Sequence, residues 1–258
     1  MGLFDWWKRK DTPPTPASTP TARANERAEV EDLPAELQHL PRRPAWLPET
    51  IDGAGEPRGS RIGGHAFIPA GEDHPACGVC GQPLHLVVQL NSAELPTAVS
   101  AWTGPGIFQM FYCLSECELE ADGWAPYSRV HCARRVDLDA PGQLTTTGPS
   151  VPAKAIVAWR ELDDLPHQEE WPTAMVDELE TACELAERPL AGDKLAGWPY
   201  WVQGPEYPQC KLCGAAMRVL FQVDSEHNLA WMWGDAGCAQ LSVCEEHRDQ
   251  LAFGWACC

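Results

Sequence analysis

The sequence predicts an α+β, β-rich fold that is internally duplicated: two antiparallel-sheet lobes, each with a Cys-x-x-Cys knuckle, and one linking amphipathic helix. The first observation behind this is a repeat. Sliding the sequence by 133 positions lays Arg61–Ser92 over Lys194–Ser225 without a gap, matching Gly64/Gly197, Gly71/Gly204, Pro75/Pro208, Cys77/Cys210, Cys80/Cys213, Gly81/Gly214, Gln89/Gln222 and Ser92/Ser225. After a two-residue gap the match resumes, with Gly106, Gln109 and Cys113 over Gly237, Gln240 and Cys244. The second observation is periodicity: Leu84, Leu86, Val88 and Leu90, like Met217, Val219, Phe221 and Val223, alternate as in a half-buried strand. The third is composition, since 24 prolines and 21 glycines in 258 residues imply short elements and many turns.

In chain order, Met1–Lys10 (MGLFDWWKRK) is apolar-aromatic and then basic, and reads as a partner-docking tag or a frayed end. Asp11–Val30, rich in Pro, Thr and Ala without periodicity, reads as disordered linker. Residues 1–32 are thus a tail, 33–165 the first lobe, and 166–258 the linking helix and second lobe. Pro41–Trp46 is expected as an extended lead-in whose Trp packs on the body. Lobe one then runs through a turn at Arg61–Gly64, the knuckle Cys77–Gly81, strand Leu84–Leu90, an irregular stretch to Pro105 and strand Ile107–Cys113. An acidic loop (Glu116, Glu118, Glu120, Asp122) and strand-like segments Arg129–Leu138 and Lys154–Leu162 follow. Glu161–Glu187 holds ten acidic residues and no Lys or Arg. Met175, Val176, Leu179, Ala182, Cys183 and Ala186 recur there at helical spacing, so a helix is expected over about Pro172–Glu187. Lobe two repeats the pattern: turn Lys194–Gly197, short strand Tyr200–Gln203, knuckle Cys210–Gly214, strand Met217–Val223, hairpin arm Leu229–Trp233, strand Cys238–Cys244, and Phe253–Cys258.

Charge and cysteine usage narrow the chemistry. No run of 18 apolar residues exists, so no membrane span is expected, and no secretory signal is visible. Twelve cysteines in repeated Cys-x-x-Cys units, without an export signal, point to metal ligation in a reducing cytoplasm. A net charge of −18 opposes direct nucleic-acid binding and fits a basic protein partner or a solubilising surface. The expectation is a cytoplasmic monomer.

Zinc needs four soft or borderline ligands in a tetrahedron; a knuckle supplies two and a neighbouring strand end the others. In lobe one the set is Cys77, Cys80, Cys113 and Cys117. In lobe two it is Cys210, Cys213, Cys244 and His247, with Cys257 or Cys258 as rival fourth ligand. Four protein ligands leave no open position, so two structural zinc sites are expected. Cys132, Cys183 and Cys238 read as buried thiols, and the remaining histidines as surface or hydrogen-bonded core residues.

Enzyme motifs are missing. The zinc-deaminase pattern fails because Pro75-Ala-Cys77 and Pro208-Gln-Cys210 are off by one residue and no His-x-Glu precedes either. No His-Glu-x-x-His, phosphate loop or Gly-x-Ser-x-Gly occurs. A dithiol redox role is the enzymatic alternative, although redox Cys-x-x-Cys pairs sit where a strand enters a helix and these precede strands.

Arg61-Ile-Gly-Gly64, Cys77-x-x-Cys80-Gly81, Val87-Val-Gln89, Phe108-Gln-Met-Phe-Tyr-Cys113, Ala196-Gly-Trp-Pro-Tyr-Trp-Val-Gln203, Cys210-x-x-Cys213-Gly-x-x-Met217, Gln222, Trp233-Gly-Asp235 and Cys257-Cys258 resemble the YwqG-like family of bacterial proteins, which has no assigned function. Their order is also similar to that of programmed cell death protein 2 and its relatives. The resemblance covers about Trp46–Cys258 and implies a β-rich duplicated fold without established catalysis. It implies two kinds of role: escort of a basic ribosomal protein, as in the eukaryotic relatives, or immunity against a toxin. The expected function is therefore a non-enzymatic zinc-binding, chaperone-like protein-interaction module, the alternatives being an immunity protein neutralising a basic toxin and a dithiol redox protein.

Overall fold

The computed structural model describes residues 35–115, 117, 122–145, 150–171 and 190–257. The tail over 1–32, the helix expected over 172–187, and Glu116, Glu118 and Glu120 of the acidic loop lie outside them.

Twelve strands are described: β1 (Arg43–Asp52), β2 (Arg61–Ile62), β3 (Phe67–Pro69), β4 (His85–Asn91), β5 (Ile107–Tyr112), β6 (His131–Val136), β7 (Gly142–Leu144), β8 (Lys154–Asp164), β9 (Lys194–Ala196), β10 (Arg218–Asp224), β11 (Cys238–Val243) and β12 (Leu251–Ala256). A short helix, α1 (Thr97–Thr103), sits between β4 and β5, ended by Gly104 at φ +73°. Ten strands form one antiparallel sheet in the order β12-β11-β10-β9-β1-β8-β2-β4-β5-β6, while β3 and β7 pair separately. The ends of the sheet meet through Trp255, whose backbone N–H reaches Trp124 O and whose indole reaches Gly123 O, both at 3.0 Å. His131 of β6 lies 4.4 Å, ring to ring, from Phe253 of β12. The sheet is nearly closed.

One large apolar cluster lies within it, drawn from both halves of the chain: Leu86, Val88, Phe108 and Met110 with Phe221, Val223, Leu241 and Phe253. The expected strands at β4, β5, β10 and β11 form within a residue or two of their anticipated ends, and β12 covers the first part of the stretch Phe253–Cys258. The half-buried alternation expected for β4 and β10 is not observed, since every position between their ends is buried. The outer face is covered by loops pinned through buried glutamines. Gln89 Oε1 accepts from Phe67 N at 3.0 Å and its Nε2 donates to Gly59 O at 2.9 Å. One hundred and thirty-three positions on, Gln222 Oε1 accepts from Tyr200 N and its Nε2 donates to Gly192 O, both at 2.7 Å.

Other parts depart from expectation. Arg61–Gly64 and Lys194–Gly197 begin as strands and only then turn. Gly64 (φ +74°) and Gly197 (φ +73°) complete the turn where a Cβ would come within 2.7 Å of Ala153 Cβ and 2.6 Å of Ala45 Cβ. Tyr200–Gln203 and Leu229–Trp233 are irregular, because side chains rather than a neighbouring strand hold their backbones: Gln240 Nε2 donates to Tyr200 O, and Trp233 N donates to Ser225 Oγ. The lead-in through Trp46 belongs to the ten-residue β1, paired with β8 along its length. That pair is the middle of the sheet rather than the edge of a lobe. Pro44 and Pro48 hide it in the sequence, since proline argues against a central strand. It is tolerated here because β9 covers only Ala45 and Trp46, leaving Pro48 beyond it.

Buried charge anchors the middle of the sheet. Lys194 Nζ lies 2.7 Å from Asp164 Oδ2 with both side chains fully buried, and the same oxygen accepts from Trp198 N at 2.9 Å. At the matching place in the first half, the buried Arg61 guanidinium instead donates to the carbonyls of Glu56, Pro57, Gly59 and His65.

Candidate metal centres

Each Cys-x-x-Cys sits in a tight loop that ends where a core strand begins. In the first, Cys77 N donates to Gln82 O at 2.8 Å and Gly81 N to Cys77 O at 2.9 Å. In the second, Cys210 N donates to Ala215 O at 2.8 Å and Gly214 N to Cys210 O at 2.9 Å. Gly81 and Gly214 both stand at φ +73°, the left-handed conformation that glycine adopts without a Cβ penalty. Backbone amides face the sulfurs: Val79 N lies 3.4 Å from Cys77 Sγ, and Leu212 N 3.4 Å from Cys210 Sγ. Such second-layer hydrogen bonds orient ligands and stabilise the thiolate.

The ends of β5 and β11 bring in the closing ligands. Cys113 N is tied to Val130 O at 2.9 Å and Cys244 N to Gln250 O at 3.0 Å, which sets both thiols at their knuckles. The ligand atoms of Cys77, Cys80, Cys113 and Cys117 lie within 4.8 Å of one another, as do those of Cys210, Cys213, Cys244 and His247. Cys80 Sγ and Cys113 Sγ are 3.7 Å apart, as are Cys213 Sγ and Cys244 Sγ. His247 Nδ1 is 3.9 Å from Cys210 Sγ and 3.8 Å from Cys244 Sγ. All ten described cysteines are free thiols. Both clusters could hold a metal ion.

Local fields favour thiolate at one cysteine of each knuckle. The Gln82 backbone amide holds the Cys80 thiol down at about 7. At Cys210 burial acts upward, but the Cys213 and Leu212 amides and neighbouring thiols bring it to about 6. A metal ion binds only the deprotonated thiol, so these shifts reduce the proton release that binding requires.

Both four-residue sets expected from the sequence are brought together. Cys257 is half-buried outside the second cluster, with Gln203 Nε2 on its carbonyl at 2.6 Å, and Cys258 lies outside the described residues. Cys132 is half-buried and Cys238 buried, away from both clusters; Cys183 falls outside the described residues. His131 is buried against Phe253, with Nε2 3.0 Å from Ala125 O, and burial lowers its imidazole to about 4.

Sequence reasoning missed the connector 122–130. Gly78 N of the first knuckle donates to Arg129 O at 2.8 Å, while Tyr127 Oη donates to Gln209 O at 2.7 Å beside the second. Lys211 Nζ lies 3.9 Å over the Tyr127 ring. One segment of the first half therefore touches both knuckles. Its residues have no strand or helix period, and Tyr127 sits at φ +67°, a conformation its residue type does not advertise.

The acidic stretch is only partly a free surface. Asp164 is consumed by Lys194, and Glu170 accepts from Trp201 Nε1 at 2.7 Å and from Tyr207 Oη at 2.8 Å. Glu161 and Glu169 are exposed. Among the described residues no helix is long and apolar enough to cross a membrane.

Nothing among the curated proteins matches this chain. Residues 60–258, from just before β2 through the last strand and both cysteine clusters, match the model of a family described as a domain of unknown function (DUF1963), and the chain belongs to that family.

Proposed function

We propose that the protein is a non-enzymatic, zinc-stapled protein-interaction module that receives a basic partner, in the manner of an escort chaperone. The observation that carries this reading is the pair of four-ligand clusters at the open ends of β5 and β11. A tetrahedral thiolate zinc site with Zn–S of about 2.3 Å has sulfur–sulfur edges of about 3.8 Å, and the 3.7 Å pairs fit it. Zinc is also the natural ion for a set of four cysteines and for a set of three cysteines with one histidine. With four protein ligands there is no position for substrate, so the metal would supply rigidity alone. It would fix the loops that cap the sheet, which are otherwise held by few regular hydrogen bonds.

The remaining features suit a binding surface. A charge of −18 attracts a basic protein over long range and accelerates its encounter. The chain's resemblance to the YwqG-like proteins and to programmed cell death protein 2 supports a kindred role. We also infer that the two halves are duplicated units, supported by the matching places of Gln89 and Gln222, of Arg61 and Lys194, and of the two knuckles. The test has two arms. Metal analysis of protein purified without chelator is expected to give two zinc ions per chain; a metal-free protein with reversibly oxidised thiols would support the dithiol redox reading instead. Capture from a native lysate is expected to yield a basic protein whose association rate falls steeply with added salt, and a rate indifferent to salt would count against the escort reading.

A further inference from the structure

Tyr112, Leu114, Trp231, Met232, Trp233 and Trp255 line a groove of about 290 Å³ beside Cys113. Met232 is 60% exposed and Leu114 37%, both large for open apolar surface. Trp233 is 1% exposed and stacks edge-on with Tyr112, Trp231 and Phe253. Its indole Nε1, and that of Trp231, are buried with no hydrogen-bond partner, whereas the Trp255 indole is satisfied by Gly123 O. The groove therefore suits the apolar side chains of a hydrophobic peptide.

We propose that the occupant is the chain's own N-terminal segment, Leu3–Lys10, docked in cis. Leu3, Phe4, Trp6 and Trp7 offer the apolar groups. Lys8-Arg9-Lys10 is the longest basic run in a chain of charge −18. An exposed carboxylate suited to it, Asp235, directly follows the lining residue Gly234. Reach is ample. The 24 residues between Lys10 and Ala35 span about 27 Å as a coil and up to about 80 Å when extended. Docking of this segment goes beyond the partner-binding reading: a partner using the same groove would have to displace it, and the segment can dock whether or not such a partner exists.

The test uses the full chain with the photo-crosslinking residue p-benzoylphenylalanine in place of Phe4. Irradiation at low protein concentration, followed by proteolysis and mass spectrometry, is expected to give an intramolecular crosslink to the Trp231–Trp233 segment. Met232→Glu, at an exposed position that should leave folding intact, is expected to lower the yield at least tenfold. Trp6→Glu with Trp7→Glu, outside the described core, should do the same. A crosslink to another face, its absence, or a yield unmoved by these substitutions overturns the proposal. Crosslinked dimers would overturn it too, by assigning the groove to a second copy.

Discussion

Gln109 Nε2 donates to Gln89 Oε1 at 2.9 Å between opposed positions of β4 and β5, beneath a loop that both side chains hold. Gln89 takes Phe67 N, Gln109 gives to Phe67 O at 2.7 Å, and Arg134 Nε caps Gln109 Oε1 at 2.8 Å. The polar residues on an otherwise apolar strand thus act as a clasp. In the second half Gln222 and Gln240 stand opposite each other and grip Tyr200 in the corresponding way, through its N–H and its carbonyl.

Replacing Gln89 by Leu keeps the volume and removes the clasp. Phe67 N would lose its side-chain acceptor, whereas Gly59 O keeps the Arg61 guanidinium and Gln109 Nε2 keeps Phe67 O. With about 1–3 kcal/mol for one buried group left unpaired, the expected loss is about 2 kcal/mol. Urea unfolding, read as a lower midpoint at unchanged slope, checks it. Gln222→Leu should cost a similar amount.

Cys80→Ser and Cys213→Ser are each expected to halve the zinc content and to destabilise the molecule severely, since structural zinc is worth on the order of 10 kcal/mol in isolated fingers. Mass-spectrometric metal analysis and thermal unfolding with and without chelator check this. Chelator sensitivity unchanged by either substitution would contradict two staples.

Lys194→Met leaves the buried Asp164 carboxylate without its cation. Removing one partner of a buried ion pair costs about 3–5 kcal/mol, and the same loss is expected here. Asp164→Leu added to Lys194→Met should recover only part of it, because Trp198 N also depends on the carboxylate. A double-mutant cycle by chemical denaturation measures the coupling.

His131 and Asp193 set opposing pH dependences. His131 titrates near 4 in the fold against 6.5 when free. Between those values the unfolded chain binds a proton that the folded chain refuses, so stability falls as pH drops through that window, by up to about 3 kcal/mol. Asp193, pushed up to about 6 by burial, acts the other way: its penalty appears as pH rises from about 4 to 6. Comparing His131→Gln with the parent cancels the Asp193 contribution. The stability difference between the two proteins should shift in favour of the variant as pH falls from 6.5 to 4, measured by urea unfolding at each pH.

Neutralising the exposed Glu161 and Glu169 with Gln should leave folding nearly unchanged, as exposed charges contribute little. It should slow association with a captured basic partner and flatten its salt dependence. Glu170 is kept out of this set because it holds Trp201 and Tyr207. Stopped-flow association kinetics at several salt concentrations decides the matter.

Local chemistry wrote the metal clusters and most core strands into the sequence. Cys-x-x-Cys-Gly at Cys77 and Cys210 encodes its own loop, because two ligands three residues apart and a glycine at positive φ need no distant partner. The alternating apolar residues of β4 and β10 likewise announced strands. Tertiary structure alone decided which strands meet. β1, disguised by Pro44 and Pro48, and β8, expected only as a strand-like segment closing the first lobe, pair to join both halves into one sheet, since pairing depends on backbone groups that no side-chain period reports. The same holds for Asp164, which composition places in an acidic surface run and the fold buries against Lys194: charge is legible residue by residue, whereas burial is a property of what packs around it.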